Sequence, residues 1–409
     1  MEEHPQARFV VDTLSRAGFV AYYAGGWVRD FLLGHPSDDI DIATNAPPET
    51  IQALFSKTVP IGIAFGIILV IVEGHQYEVA TFRNDLEYKD GRRPSRIEFT
   101  TAEEDAKRRD FTINGMFYDP LIGKVLDFVE GQQDLEKQII RAIGNPHQRI
   151  AEDRLRMIRA IRLACRFHFK IDPPTAQAIR DHAQELFPAV AIERVVQELE
   201  KGLKSGKLRT MLIRLHEFDL LPAIFPSLQG VSLQDIEHRL ACTHHFPKTV
   251  PLIAYLLELF SESDLQAKLD LCKFLKLPNQ DQQFVQFLTK AEELHFSDKP
   301  IGLVAWAYFY SNQWADIALQ ILGAHLEERE RETFFANHAE RKLVLQSSIE
   351  RIQKHIPLIT SKDLLSVGVV PGKTMGILLQ EAERIAINEQ TDDKKLVLDL
   401  LRRHPAWPD

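Results

Sequence analysis

The segment Tyr23-Ala-Gly-Gly-Trp-Val-Arg-Asp30, followed closely by Ser37-Asp-Asp-Ile-Asp-Ile-Ala-Thr44, decides how this chain is read. Asp39 and Asp41 stand two residues apart on an expected strand, so their side chains share one face, about 7 Å apart along the backbone. Carboxylates so placed converge on divalent ions about 3.5 to 4 Å apart, one activating an attacking hydroxyl and the other steadying a leaving phosphate. Mg²⁺ is the natural ion, because it is hard and accepts oxygen ligands and a triphosphate together. Gly25 and Gly26 at the strand-to-helix junction let backbone N–H groups approach a triphosphate, with the helix N-terminus and Arg29 adding positive charge. A Gly-Gly pair alone reads as a hinge and an acidic triplet alone as a solvated turn; their succession is what points to chemistry. Glu78, in Tyr77-Glu-Val-Ala-Thr-Phe-Arg83, shares a strand face with Ala80 and Phe82 and is a candidate third metal carboxylate, a surface role being equally open.

Outward from this centre, short apolar runs alternate with turn signals as far as Ile143. Phe19–Ala24, Gly66–Val72, Tyr77–Phe82 and Arg96–Thr100 read as strands, and the first helix starts near Gly26, carrying Val28, Phe31 and Leu32 inward. Beyond Pro146 the texture turns to helical periodicity broken by prolines. The expectation is an α+β chain: an N-terminal head with a small mixed β-sheet over residues 1–143, a helical neck over 144–205, a helical body over 206–330 and a helical tail over 331–409.

Composition bounds the partners. With 409 residues, 45% hydrophobic and 26% charged, the chain can bury several cores. The net charge of −9 counts against general polyanion binding, so any RNA site must be local. Local basic groups exist at Lys107–Arg109 and from Arg141 to Lys170. Cys165, Cys242 and Cys272 form no Cys-x-x-Cys pair, which argues against a disulfide framework and a cysteine-based zinc site and suits a reducing cytosol. No apolar run reaches the roughly 18 to 20 residues a membrane span needs. Oligomeric state is not legible.

From Pro146 to Arg166 a single helix is expected, with Arg156, Arg159 and Arg162 recurring every three residues as a slanted basic ridge. Leu155, Ile158, Ile161 and Cys165 occupy the neighbouring sector and pack the helix in place. Asp153 and Arg156 together present an acceptor and a donor. Cytosine and adenine show an amino donor beside a ring-nitrogen acceptor, whereas uracil and guanine show the reverse. An Asp–Arg pair therefore matches C and A, and a wrong base leaves polar groups unpaired at about 1 to 3 kcal/mol each.

The motifs GGWVRD (25–30), DDIDIAT (38–44), RRDFTINGM (108–116) and EDRLRMIRAIR (152–162) resemble, in this order, those of the class II tRNA nucleotidyltransferase and bacterial poly(A) polymerase family, continuously from residue 1 to about 200. The resemblance implies template-independent addition of C, C and A to tRNA from CTP and ATP with Mg²⁺. It implies base reading by Asp153 and Arg156, nucleotide contacts from Arg159 and Arg162, triphosphate binding by Arg109, ribose binding by Asp110 and a loop-organising Asn114. Arg83–Pro94 resembles the flexible loop that switches such enzymes from C to A, and Ile192–Leu199 the helix that braces the reading helix, anchored by Arg194. Leu358–Lys373 resembles a tRNA-contacting tail segment, with Lys373 where the family often has proline. His238, His244 and His245 read as packing or surface residues, since no His-x-x-x-His-Asp pattern accompanies them. Three alternatives stay open: an enzyme adding only A or only CC, a poly(A) polymerase, whose usual basic stretch is replaced here by Val59-Pro-Ile-Gly-Ile-Ala-Phe-Gly66, and a non-catalytic RNA-binding protein.

Overall fold

The computed structural model describes residues 4–35, 37–62, 65–88, 94–260, 263–297 and 300–408. The chain divides into two compact units, Met1–Ile236 and Glu237–Asp409. The first opens with a helix, α1 (Pro5–Arg16), ahead of the one expected to come first. Its apolar residues Ala7, Val10, Val11 and Leu14 recur at helical spacing and are all buried, a pattern masked in sequence by the polar residues between them. Strand β1 (Ala21–Ala24), helix α2 (Gly26–Leu32) and strand β2 (Asp41–Thr44) follow. Val28 is buried as expected, whereas Leu32, at the end of α2, is 36% exposed.

After helix α3 (Pro48–Leu54) come β3 (Thr58–Gly62), β4 (Ile67–Val72), β5 (His75–Thr81), β6 (Arg83–Tyr88) and β7 (Pro94–Phe99). Helix α4 (Ala102–Lys107), capped by the Thr101 side chain, leads to β8 (Phe117–Asp119) and β9 (Lys124–Leu126). The main sheet has the order β3-β4-β5-β2-β1-β8-β9. Neighbours are antiparallel except β2 and β5, whose parallel register sets Ile42 beside Val79. Ala24, Ala43, Phe82, Ala106 and Phe117 form a core cluster between sheet and helices. Strands β6 and β7 form a separate hairpin, Arg83 opposite Phe99 and Tyr88 opposite Pro94. The stretch Arg83–Pro94 is thus not loop throughout; its residues 89–93 lie outside the described residues.

Helix α5 (Gly131–Glu136) is anchored by Asp127, whose carboxylate accepts from the N–H groups of Val129, Gly131 and Gln132. Then come α6 (Pro146–Glu152), α7 (Leu155–Phe167), α8 (Pro173–His182) and α9 (Ile192–Lys204). The single helix expected from Pro146 to Arg166 is two. Asp153 breaks it, with φ −148° and ψ 103°, because its own Oδ1 accepts from the Leu155 N–H at 3.1 Å and offers the backbone an alternative to the helical bond.

The second unit is all-helical among the described residues. Its C-terminal core gathers Leu358, Ile359, Leu364, Leu378, Val397 and Leu401. Thr360 and Asp363 form a capping box. Lys373 is the first residue of the helix Lys373–Asn388, a position that tolerates proline because its N–H has no intrahelical partner, so lysine fits there equally well. No helix among the described residues is long and apolar enough to cross a membrane.

Candidate active site

The first unit encloses a cavity of about 860 Å³ open on one side. The β1–α2 junction lends it Gly25, Gly26 and Arg29, and the lead-in to β2 lends Asp39 and Asp41. The turn after α4 adds Arg108, Arg109, Asp110 and Asn114. The start and one face of α7 add Asp153, Arg156, Arg159, Arg162 and Arg166, and α9 adds Lys201 and Lys204. Nine cationic and four acidic side chains line it, so a chain of net charge −9 carries a basic concavity suited to phosphates.

Only Asp41 lies on β2; Asp39 sits in the segment just before it, because pairing of β2 with β1 starts at Ala24 opposite Asp41. The parallel register of β2 and β5 places Glu78 on the strand beside Asp41. Asp41 opens to the cavity but is crowded by protein. Burial first, and then Glu78 and Asp39, push its carboxyl up to about 6, against the pull of Arg109. Among the described residues none of the three has an ion-pair partner. Glu78 does not line the cavity, and the three carboxylates do not all come within 4.8 Å of one another. An unneutralised all-oxygen pair beside a triphosphate-sized basic cavity fits a hard divalent cation.

Gly25 shows why this junction needs glycine. Its φ is +66°, and a Cβ there would lie 3.3 Å from Arg109 Nη1 and 3.8 Å from Asp41 Oδ2. Its N–H is already directed at the Met116 carbonyl at 3.4 Å, so it is not free for a phosphate as the sequence suggested. Arg29 is buried and spends its charge locally: it pairs with Asp30 at 2.8 Å and donates to Asn114 Oδ1 at 2.5 Å. Burial holds its guanidinium below the usual arginine range. Asp30 in turn holds Arg166 at 3.1 Å.

The remaining acids are all held by arginines, and these anchors are what the sequence reading missed. Asp105, 1% exposed, grips Arg108 at 2.7 Å and Arg109 at 3.0 Å. Burial alone would raise its carboxyl, but Arg109 and Arg108 hold it below the usual range. Glu198, 2% exposed, holds Arg162 at 2.5 Å and Lys201 at 3.0 Å and faces Arg159 at 3.9 Å. The spacing of Glu198 from Lys201, one turn of helix, was the available signal. Asp110 accepts three hydrogen bonds, from Arg159 Nε, the Phe111 N–H and Asn114 Nδ2, and its Oδ2 pairs with Arg159 Nη2 at 2.6 Å. In this structure Asp110 fixes the Arg159 guanidinium.

Asp153 and Arg156 both reach the cavity but do not pair with each other. Arg194 holds Asp153 in a bidentate fork at 3.0 and 2.7 Å, as the bracing role expected of it requires. Oδ1 also takes the Leu155 N–H, whereas Oδ2 accepts one bond among the described residues and keeps an open acceptor direction. Arg156 spends Nη1 on the Arg149 carbonyl and on Glu152 at 2.7 Å each, and Nη2 on the Arg108 carbonyl at 3.3 Å. Glu152 thus fixes Arg156, and it also pairs with Arg149 at 3.1 Å. Among the described residues the Nε–H of Arg156 and one Nη2–H keep no partner, on a side chain that lines the same cavity as Asp153.

Comparison with known proteins agrees with this architecture. Residues 21–141 match the poly A polymerase head domain, and residues 168–230 match the probable RNA and SrmB-binding site of polymerase A. A CCA-adding enzyme of Enterococcus faecalis is 35% identical over 407 residues, 97% of this chain and 95% of that protein. One from Lactococcus lactis subsp. cremoris is 33% identical over 408 residues, 98% and 97% of the two chains. The crystal structure of Bacillus stearothermophilus CCA-adding enzyme in complex with CTP matches with a TM-score of 0.76 at 28% identity, covering 97% of this chain and 96% of that one. Similarity that runs the whole length of both chains, around a cavity lined by arginines and lysines, leads to one assignment: the chain belongs to the family of CCA-adding enzymes, nucleotidyltransferases with a poly(A) polymerase head.

Proposed function

We propose that this protein adds C, C and A to the 3′ end of tRNA from CTP and ATP, without a nucleic-acid template, in the cytosol. The observation that carries this reading is one cavity that joins two unpaired carboxylates, Asp39 and Asp41, to a fixed acceptor–donor pair, Asp153 and Arg156. The reaction is in-line attack of the RNA 3′-hydroxyl on the α-phosphate. A new phosphorus–oxygen bond forms at the α-phosphorus, its bond to the bridging oxygen of the β-phosphate breaks, and pyrophosphate leaves.

Nucleotidyltransferases of this family are typically metal dependent. Asp39 and Asp41 would hold Mg²⁺, with Glu78 beside them. When bound, the ion supplies charge neutralisation of the triphosphate and activation of the hydroxyl. Arg109, held by Asp105 within reach of Gly25 and Asp41, places positive charge where the triphosphate must lie. Arg159 and Arg162, clamped by Asp110 and Glu198, are oriented before substrate arrives, which lowers the ordering cost of binding. Gly26 leaves the helix start open to the same ligand. The open oxygen of Asp153 accepts the amino group of C or A while Arg156 donates to the ring nitrogen. Residues 1–143 act as the catalytic head, 144–205 as the neck that reads the base, and 206–330 and 331–409 as the body and tail for tRNA.

The test is extension of three tRNA transcripts, ending before CCA, after C and after CC, resolved to single nucleotides with CTP, ATP or both. Completion of all three to CCA followed by arrest is expected. Extension of only the CC-ended transcript would replace this reading with an A-adding enzyme, and long A tails with a poly(A) polymerase.

A further inference from the structure

The helical second unit holds a mixed-donor cluster far in sequence from the cavity residues. Cys242 is presented by the short helical turn Ala241–His245, Glu258 ends the helix Leu252–Glu258, and His325 caps the helix Ala315–Ala324. Cys242 Sγ lies 3.3 Å from Glu258 Oε2, and His325 Nε2 lies 3.3 Å from Glu258 Oε1. The sulfur, the imidazole nitrogen and a carboxylate oxygen all fall within 4.8 Å of one another. We propose that Cys242, Glu258 and His325 form a binding site for a borderline-soft divalent cation of the Zn²⁺ class.

Donor chemistry and spacing both support it. Thiolate, imidazole and carboxylate are the ligand types that Zn²⁺ takes, and the metal–ligand lengths of a tetrahedral site put its ligand atoms about 3.3 to 3.6 Å apart. The two contacts to Glu258, each 3.3 Å and each to a different carboxylate oxygen, bring sulfur and imidazole nitrogen to either side of that carboxylate, so that a small turn of it completes the site. Glu258 is 8% exposed, so its carboxylate is held in place at the centre, while the His325 side chain is 45% exposed. Glu292, the other acid acting on His325, is engaged by Lys268 at 2.9 Å, so the fourth position falls to water on the side that His325 leaves open. Binding takes the cation in place of the thiol proton, which is released to solvent. Such an ion would tie together three segments spread from residue 242 to residue 325. Cysteine spacing argued against a zinc site because it tests only paired cysteines; here a single cysteine joins two other residue types through the fold.

Without a metal the same atoms form a relay in which the thiol and imidazole donate to one carboxylate, so the experiment must separate the two. The full chain, stripped with a chelator and held in excess MgCl₂ to occupy oxygen-only sites, is titrated with CoCl₂ and followed by near-ultraviolet absorption. Thiolate-to-cobalt charge transfer reports sulfur ligation, which Asp39 and Asp41 cannot produce. The proposal expects this band to saturate at about one equivalent, to be displaced by ZnCl₂ and to vanish in Cys242→Ser. In His325→Asn, a change at an exposed cap, affinity falls at least about tenfold, since loss of even an outer-shell partner costs that much. Retained tRNA extension by both variants shows that they are folded. Absence of the band in the parent chain, or its survival in Cys242→Ser, overturns the site and leaves the relay.

Discussion

Replacing Arg194 tests whether a base can be read by two side chains alone. Its guanidinium forks onto Asp153 at 3.0 and 2.7 Å, with side chains 20% and 17% exposed. In Arg194→Ala, among the described residues, only the Leu155 N–H still holds the Asp153 side chain. Charge-assisted hydrogen bonds contribute about 1.5 to 3 kcal/mol, and for two bonds within one partly exposed pair about 2 kcal/mol of stability should go. The functional loss is more specific. An Asp153 free to rotate no longer turns its open oxygen to a fixed point, so about 1 to 2 kcal/mol of the penalty against a wrong base disappears, a 5- to 30-fold fall in discrimination at roughly 1.4 kcal/mol per decade. The assay is single-turnover incorporation of ATP, GTP and UTP into tRNA ending in CC, with thermal unfolding in parallel. Arg194→Lys, which keeps the charge and one bond, should fall between parent and alanine variant. Unchanged discrimination in a destabilised Arg194→Ala would refute the reasoning, since the fork would then be only structural.

Three further outcomes follow from the same geometry. Asp110 is held down to about 2 from 3.8: burial alone would raise it, but Arg159 and then Arg156 prevail. Its contribution, about 2 kcal/mol, is therefore complete above pH 3.8 and lost as pH falls toward about 2, so urea unfolding of Asp110→Asn should show a shallower acid limb than the parent. Gly25→Ala forces a side chain into φ +66° and 3.3 Å from Arg109, so stability should drop by about 1 to 3 kcal/mol and KM for CTP and ATP should rise together, as unfolding and steady-state kinetics would show. Glu198→Gln loosens Arg162 without touching Asp153. It should raise both nucleotide KM values about tenfold in steady-state assays while leaving the preference against UTP and GTP intact.

What the sequence disclosed depended on whether a signal was local. The motif around Asp39 and Asp41, the apolar face Leu155, Ile158, Ile161 and Cys165, and the junction at Gly25 could be read because each lies within one turn or one strand. The α+β head and the helical remainder followed from the change in periodicity near Pro146. The break at Asp153 escaped because the surrounding pattern is helical throughout and only the aspartate's bond to its neighbour's N–H interrupts it. Helix α1 escaped because its four buried residues are set among polar ones near the terminus. Least visible were the counter-ions: Asp105 for Arg108 and Arg109, Glu198 for Arg162, Asp110 for Arg159. Two of these three acids were already inside the motif segments singled out, but which arginine each holds depends on how α7 and α9 pack, and residue spacing does not encode that. The same holds for Glu78, placed beside Asp41 by the parallel pairing of β2 with β5.

The central claim is that Asp39 and Asp41 carry the chemistry while the arginine-lined wall carries the binding. Its most direct test is single-turnover addition of ATP to CC-ended tRNA by the Asp39→Asn/Asp41→Asn protein, with ATP binding measured on the same preparation. The account predicts a rate at least about 1,000-fold below the parent, in the range lost when charge stabilisation of a transition state is removed, with ATP affinity within a few-fold. A rate within tenfold of the parent would contradict it, whatever the affinity.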